Sequence, residues 1–144
     1  MRAFTLVELL IVVSIMGILV AAAFAVVNPT KRQNQAKDTQ IKADIDQVAI
    51  ALSASYTSGG KNTYPTDLNV LLSSGDLKSL PTPPAGGLYE YLVDPIGCLG
   101  TDASPCTSSR VSEPLFDPTA PGSSWCWQSS TGKAQELTPD LCTP

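Results

Sequence analysis

The chain has no histidine at all, and charge is sparse: 9 Lys+Arg and 13 Asp+Glu make up 15% of 144 residues. Without an imidazole, nucleophilic catalysis of the Ser/His or Cys/His kind lacks its base, and nothing in the sequence singles out a Ser-Lys alternative. Arg2 and Glu8 are the charges that precede Lys31, which leaves eight basic and twelve acidic residues beyond it. That part is mildly acidic and carries no cluster of Lys or Arg, so its surface has no footprint for a phosphate backbone and direct nucleic-acid binding is not expected. Regular metal motifs are missing too. Cys98, Cys106, Cys126 and Cys142 are too far apart for a four-thiolate zinc site, which wants pairs two to four residues apart, and no patterned run of oxygen ligands suggests calcium. Gly132-Lys133 lacks the first glycine of a phosphate loop and has Ala134 where the hydroxyl residue belongs. Asp94 and Asp117 each precede proline and open turns, while Asp44 and Asp46, two apart, do not face each other on a helix. No catalytic residue, metal ligand or cofactor is expected, and no internal repeat is visible.

What is present begins with a long apolar run. From Leu9 to Thr30 no residue is charged, and Ser14 and Gly17 alone interrupt the apolar character of the stretch that ends at Val27. Phe4 to Val27 as a helix spans roughly 36 Å, enough to cross a ~30 Å hydrocarbon core. A cleaved secretory signal is the competing reading. Ala23-Phe24-Ala25 offers a passable cleavage site, and release after Ala25 would give a secreted globular protein such as a binding module. Against it, the run exceeds a typical signal h-region, only Met1-Arg2-Ala3 precedes it, and Glu8 sits where such regions carry no acid. An acid at the start of a membrane helix is costly and needs a partner, unless it snorkels to the headgroups.

Beyond Pro29 the composition turns polar with a helical stripe. Ile41, Ile45, Val48, Ala49, Leu52 and Tyr56 form an apolar face, and the remainder carries Lys42, Asp44, Asp46 and Gln47. Pro29 disfavours helical geometry at Asn28, so a kink or short unwound stretch is expected there. The helix should run to about Ser55 and stop at Ser58-Gly59-Gly60. A short helix from Thr66, with Thr66 as its N-cap, is followed by extended chain at Pro81, Pro83 and Pro84. Strands are predicted at Leu88-Val93, near Arg110-Phe116, at Trp125-Gln128, and after a Ser129-Gly132 turn at Lys133-Leu137. Trp125 and Trp127 should share one face of their strand and Cys126 the other. The predicted fold is α+β: one long N-terminal helix, transmembrane in its first half and kinked near Pro29, packed against a small antiparallel sheet.

The segment Arg2-Ala3-Phe4-Thr5-Leu6-Val7-Glu8-Leu9-Leu10-Ile11-Val12-Val13-Ser14-Ile15-Met16-Gly17-Ile18-Leu19 resembles the processing and assembly region of type IV pilins and type II secretion pseudopilins. Tyr64-Pro65-Thr66-Asp67-Leu68-Asn69-Val70-Leu71-Leu72 also resembles the segment after the long helix in that superfamily. The resemblance implies a pilin-like structural subunit with no enzymatic role. Residues 1–3 are then a short leader, residues 4–27 the transmembrane and filament-core helix, residues 28–58 its amphipathic second half, and residues 59–144 a disulfide-stapled α+β region. A prepilin peptidase would cut between Ala3 and Phe4 and methylate the new amine, and the Phe4 amine of one copy would pair with Glu8 of a neighbour. The implied partners are further copies in a helical filament, the membrane, the peptidase, the assembly platform and minor pilins. Before assembly the subunit would span the cytoplasmic membrane once; afterwards it would lie in an extracellular fibre. Ala3 and the three-residue leader depart from the family pattern, where glycine is usual before the cut. A pilus subunit is favoured over a secretion pseudopilin, since closing the C-terminal segment through Cys126 and Cys142 resembles pilins and no calcium-loop pattern is evident.

Orientation and cysteines are linked. Lys31, Arg32 and Lys37 follow the span and by themselves favour a cytoplasmic domain, but the cysteine spacing favours disulfides and therefore an oxidising side. Four cysteines allow three connectivities. Local pairing is the simplest: Cys98 with Cys106 around a loop containing Gly100 and Pro105, and Cys126 with Cys142 behind the last hairpin.

Overall fold

The computed structural model describes residues 4–26, 28–58 and 62–144. The chain divides into two compact units, one through Asn34 and one from Gln35 to Pro144. The expected leader Met1-Ala3, Val27 and the stop signal Gly59-Gly60 lie outside the described residues.

In the first unit, helix α1 covers Leu6–Val26, and a second helix, α2, starts at Pro29 and continues to Thr57. Proline at the first helical position needs no intrahelical donor, and the Asn28 side chain caps the new helix by accepting from the Lys31 N–H at 3.2 Å. The interruption expected near Pro29 is therefore a true helix restart with its own cap. Every residue from Phe4 to Ala23 is exposed. Ser14 is the exception to the apolar run whose bonding is visible, and its hydroxyl donates to the Leu10 carbonyl at 2.8 Å.

The second unit is built on α2 from Gln35 onward. Ile41, Ile45, Val48 and Leu52 are completely buried, each contributing about 1.5–3 kcal/mol by removal from water. They pack in one cluster with Tyr64, Leu71, Leu77, Tyr89, Val111 and Trp127. Four antiparallel strands follow in simple meander order: β1 Glu90–Asp94, β2 Ser108–Pro114, β3 Ser124–Gln128 and β4 Lys133–Leu137. The register Tyr91↔Val111↔Trp127↔Ala134 places these side chains on the face toward α2. Cys126 pairs with Ser112 and Gln135 on the opposite face, as the two-residue period requires. The β3–β4 turn closes with the Gly132 N–H on the Gln128 carbonyl at 2.9 Å, and Gly132 sits at φ +65°, a conformation glycine adopts without strain.

Several boundaries differ from those expected. The short helix, α3, is Asn69–Ser74, and Thr66 is not its cap; Leu68 holds that position without a side-chain bond. Asp67 instead accepts from both the backbone and side-chain amide of Asn69 at 2.6 Å, which turns the chain one step later. β1 starts at Glu90 rather than Leu88, because its ladder begins at the Glu90↔Ser112 pair and Gly86-Gly87 precedes it in a turn. β2 runs from Ser108 to Pro114, where its register against β3 ends at Pro114↔Ser124, short of Phe116. α2 extends two residues past Ser55.

Candidate functional site

The N-terminal turn of α1 carries a reciprocal cap. Thr5 Oγ1 accepts from the Glu8 N–H at 3.3 Å, while Glu8 Oε2 accepts from the Thr5 N–H at 3.4 Å and from the Thr5 hydroxyl at 3.2 Å. This is the Thr-x-x-Glu capping box, and it satisfies two N–H groups at a helix end. Thr5 was not among the residues predicted from the sequence, although the pattern stands directly before the apolar run. The box fixes Glu8 on the first turn, two residues into α1, with Phe4 exposed just before the helix. The structure joins Thr5 to Glu8, with Phe4 preceding them in sequence, while Ala3 lies outside the described residues.

α1 is long and apolar enough to cross a membrane, with its candidate span at Leu6–Ala23. None of that span is covered by the rest of the chain. Such a surface must be covered by lipid or by other chains.

In the second unit, disulfides join Cys98 to Cys106 and Cys126 to Cys142, and no cysteine is free. The first closes a loop that locks onto the chain after α2: the Tyr64 N–H donates to the Cys106 carbonyl at 2.9 Å, and the Cys106 N–H to Thr63 Oγ1 at 2.8 Å. Gly100 lets this loop approach closely, since a Cβ there would lie 3.1 Å from the Tyr64 carbonyl oxygen. The second disulfide draws the C-terminal segment across the outer face of the sheet. Gln128 Nε2 donates to the Leu141 and Thr143 carbonyls at 2.9 and 2.8 Å, and Arg110, paired with Glu90 at 2.9 Å, reaches Cys142 Sγ. A turn of 3-10 helix, Pro139–Leu141, completes the segment.

The nine residues between β2 and β3 are held by two carboxylates. Asp38, buried on α2, accepts from the Phe116 and Asp117 N–H groups at 2.7 and 2.9 Å. Glu136 accepts from the Thr119 hydroxyl and N–H and from the Ala120 N–H. Desolvation alone would raise its pKa, but these hydrogen bonds, helped by Lys42, hold Glu136 below its ordinary 4.5. Burial pushes the Tyr89 phenol well above 10, and its hydrogen bond to Asp44 at 2.7 Å adds to the rise. Burial likewise raises Tyr91, whose hydroxyl donates to the Pro65 carbonyl at 2.6 Å. Burial, then the nearby Glu90, raises Glu113. No group of three or more metal-ligating side chains assembles among the described residues.

An exposed, capped apolar helix carrying one acid on its first turn, joined to a stapled α+β domain, has the build of a membrane-anchored filament subunit. Comparison with known proteins agrees. Residues 1–24 match the prokaryotic N-terminal methylation motif. The type II secretion system core protein G of Pseudomonas aeruginosa is 37% identical over 106 residues, covering 62% of this chain and 71% of that protein. No solved structure is a significant match. The chain belongs to the superfamily of type IV pilins and type II secretion pseudopilins. It is a subunit of a pilus-like filament assembled from the membrane through α1, and members of this superfamily serve as structural subunits.

Proposed function

We propose that this chain is the structural, non-enzymatic subunit of a type IV pilus-like fibre outside the cell. A prepilin peptidase cuts before Phe4 and methylates the new amine, residues 4–27 then form the filament core, and residues 28–58 and 59–144 carry the amphipathic helix and the stapled domain. The assembly platform and minor pilins are its further partners. The observation that carries this reading is the capping box, which holds Glu8 at the first turn of an uncovered apolar helix, next to the residue that becomes the N-terminus. A cationic amine from one copy and the Glu8 carboxylate of the next then pair within an apolar core and set the axial register. Removing one partner leaves a buried charge, at a cost of ~3–5 kcal/mol. Mass spectrometry of the native protein should find N-methylated Phe4 as the first residue; Val26 in that place would support the secreted alternative instead.

A second reading, a pseudopilin of a secretion machine, is favoured by the similarity to the Pseudomonas protein, whose own name places it in type II secretion. The pilus reading draws support from the C-terminal segment pinned across the sheet. Deletion of the gene separates them: loss of surface fibres that bind antibody to the domain indicates a pilus, and loss of protein export without loss of fibres indicates a pseudopilus.

A further inference from the structure

Lys31, Arg32 and Lys37 follow the apolar helix, and Lys37 is already engaged, 4.5 Å from the centre of the Phe116 ring. Lys31 and Arg32 are exposed and form no ion pair; among the described residues the ion pair is that of Arg110 with Glu90. No acid stands in the sequence between Glu8 and Asp38, so neither cation has a carboxylate three or four positions away along α2, the reach of a helical ion pair. Asp38 itself is buried and accepts from the Phe116 and Asp117 N–H groups. Asn28, Thr30 and Gln33, beside the two cations in sequence, are exposed and neutral. The start of α2 thus presents two adjacent positive charges with no counter-charge along the helix.

Their depth is set by α1. From Leu6 to Val26 that helix is roughly 30 Å long, close to the ~30 Å thickness of a hydrocarbon core. Lys31 and Arg32 come five and six residues after its end, beyond the restart that Asn28 caps. The headgroup layer on each side of a bilayer is roughly 5–7 Å deep. Lys and Arg lay their stems along apolar surface and extend their charged ends to that layer. There Arg grips a phosphate through two parallel N–H donors, and Lys acts as a point charge. Two cations near an anionic surface together favour it by about thirtyfold. Cations on that side of the span also work against the orientation that the disulfides require, so their presence calls for a use there.

We propose that Lys31 and Arg32 form a collar that binds the phosphate of an anionic phospholipid, in the leaflet on the side of the disulfide-bonded domain, while the subunit waits in the membrane. The inference rests on the membrane reading of α1 and adds the class of lipid that the subunit selects. Held there, α1 carries Glu8 to the opposite edge of the hydrocarbon, since Glu8 precedes Val26 by roughly 27 Å of helix.

The test uses the full-length chain reconstituted into vesicles of equimolar phosphatidylglycerol and phosphatidylcholine, then released in mild detergent, with the retained lipids identified by native mass spectrometry. The unsubstituted chain is expected to retain phosphatidylglycerol over phosphatidylcholine by about tenfold or more. Lys31→Gln with Arg32→Gln should bring that ratio close to one, and because both positions are exposed the variant keeps its fold. The charge-preserving exchange, Lys31→Arg with Arg32→Lys, should retain the preference, as should Lys37→Gln. An excess of inorganic phosphate should leave the bound lipid in place. Equal retention of the two lipids by the unsubstituted chain overturns the proposal, and so does an undiminished preference in the double glutamine variant. Equal loss in Lys37→Gln overturns it in favour of diffuse attraction, and displacement by inorganic phosphate overturns it in favour of a site for the free ion. A chain that stays soluble in alkali and never enters the vesicles is the distinct outcome in which the membrane reading of α1 fails and takes the collar with it.

Discussion

At the scale of single residues, the side chains that organise the domain are those whose partners lie far away in sequence. Asp38 is the buried carboxylate of the described residues, and its two bonds hold a loop nearly eighty positions later. Asp38→Ala strands both N–H groups and should cost about 2–4 kcal/mol in urea unfolding, with Asp38→Asn losing less because one acceptor remains. Glu113 and Glu136 bear on pH in opposite senses. Glu113 is raised when folded, so its contribution to stability is present at low pH and is lost as pH rises through its folded value. Glu113→Gln should therefore raise Tm at pH 7, and the gain should fade as pH falls toward 4.5 and below. Glu136 is lowered, so its contribution is present above 4.5 and is lost as pH falls through its folded value. Glu136→Gln should leave the acid side of the stability profile flatter and speed hydrogen exchange at Thr119 and Ala120. None of these partnerships was legible in the sequence. Lys42 and Asp44 read as the solvent side of an amphipathic helix because periodicity reports which residues are apolar, whereas Trp125 and Tyr89 reach round the helix flank and recruit its charges.

At the scale of elements, what was legible followed from period and covalent geometry. The apolar stripe from Ile41 to Leu52 has one reading as a helix, and it is the buried face of α2. The alternation of Trp125, Cys126 and Trp127 fixed which side of β3 carries sulfur. Boundaries were less legible, since Leu88 is as good a strand former as its neighbours and only the absence of a register partner leaves it out. The Thr5–Glu8 box was readable from its spacing yet is easily overlooked beside so strong a hydrophobic signal. The C-terminal segment depends on its staple and a few polar contacts, so replacing Cys126 and Cys142 together by serine should cost on the order of 3 kcal/mol. Membrane insertion, which resides in α1, should be unchanged in a fractionation of the same cells.

At the scale of the whole molecule, the sequence announced an α+β pilin-like subunit because its most specific information is concentrated in the first nineteen residues, where membrane crossing and assembly impose their demands together. Glu8→Gln should leave the subunit stable in the membrane while sharply reducing fibre yield, to be measured by shearing and immunoblotting; normal fibres from that variant would rule out a charge pair as the source of register.

The Cys126–Cys142 bond also bears on how such a fibre meets tension. Those positions are sixteen residues apart in sequence and 6.0 Å apart between Cα atoms. When a domain is pulled open, the chain between them cannot be drawn out, which withholds about 50 Å of contour length at roughly 3.4 Å per extended residue. The sheet can yield only up to that tether, and the end of the chain stays attached to β3 while it does. In single-molecule stretching, adding a reductant should lengthen each unfolding step by that increment, so the bond sets how far a strained subunit can give before it must refold.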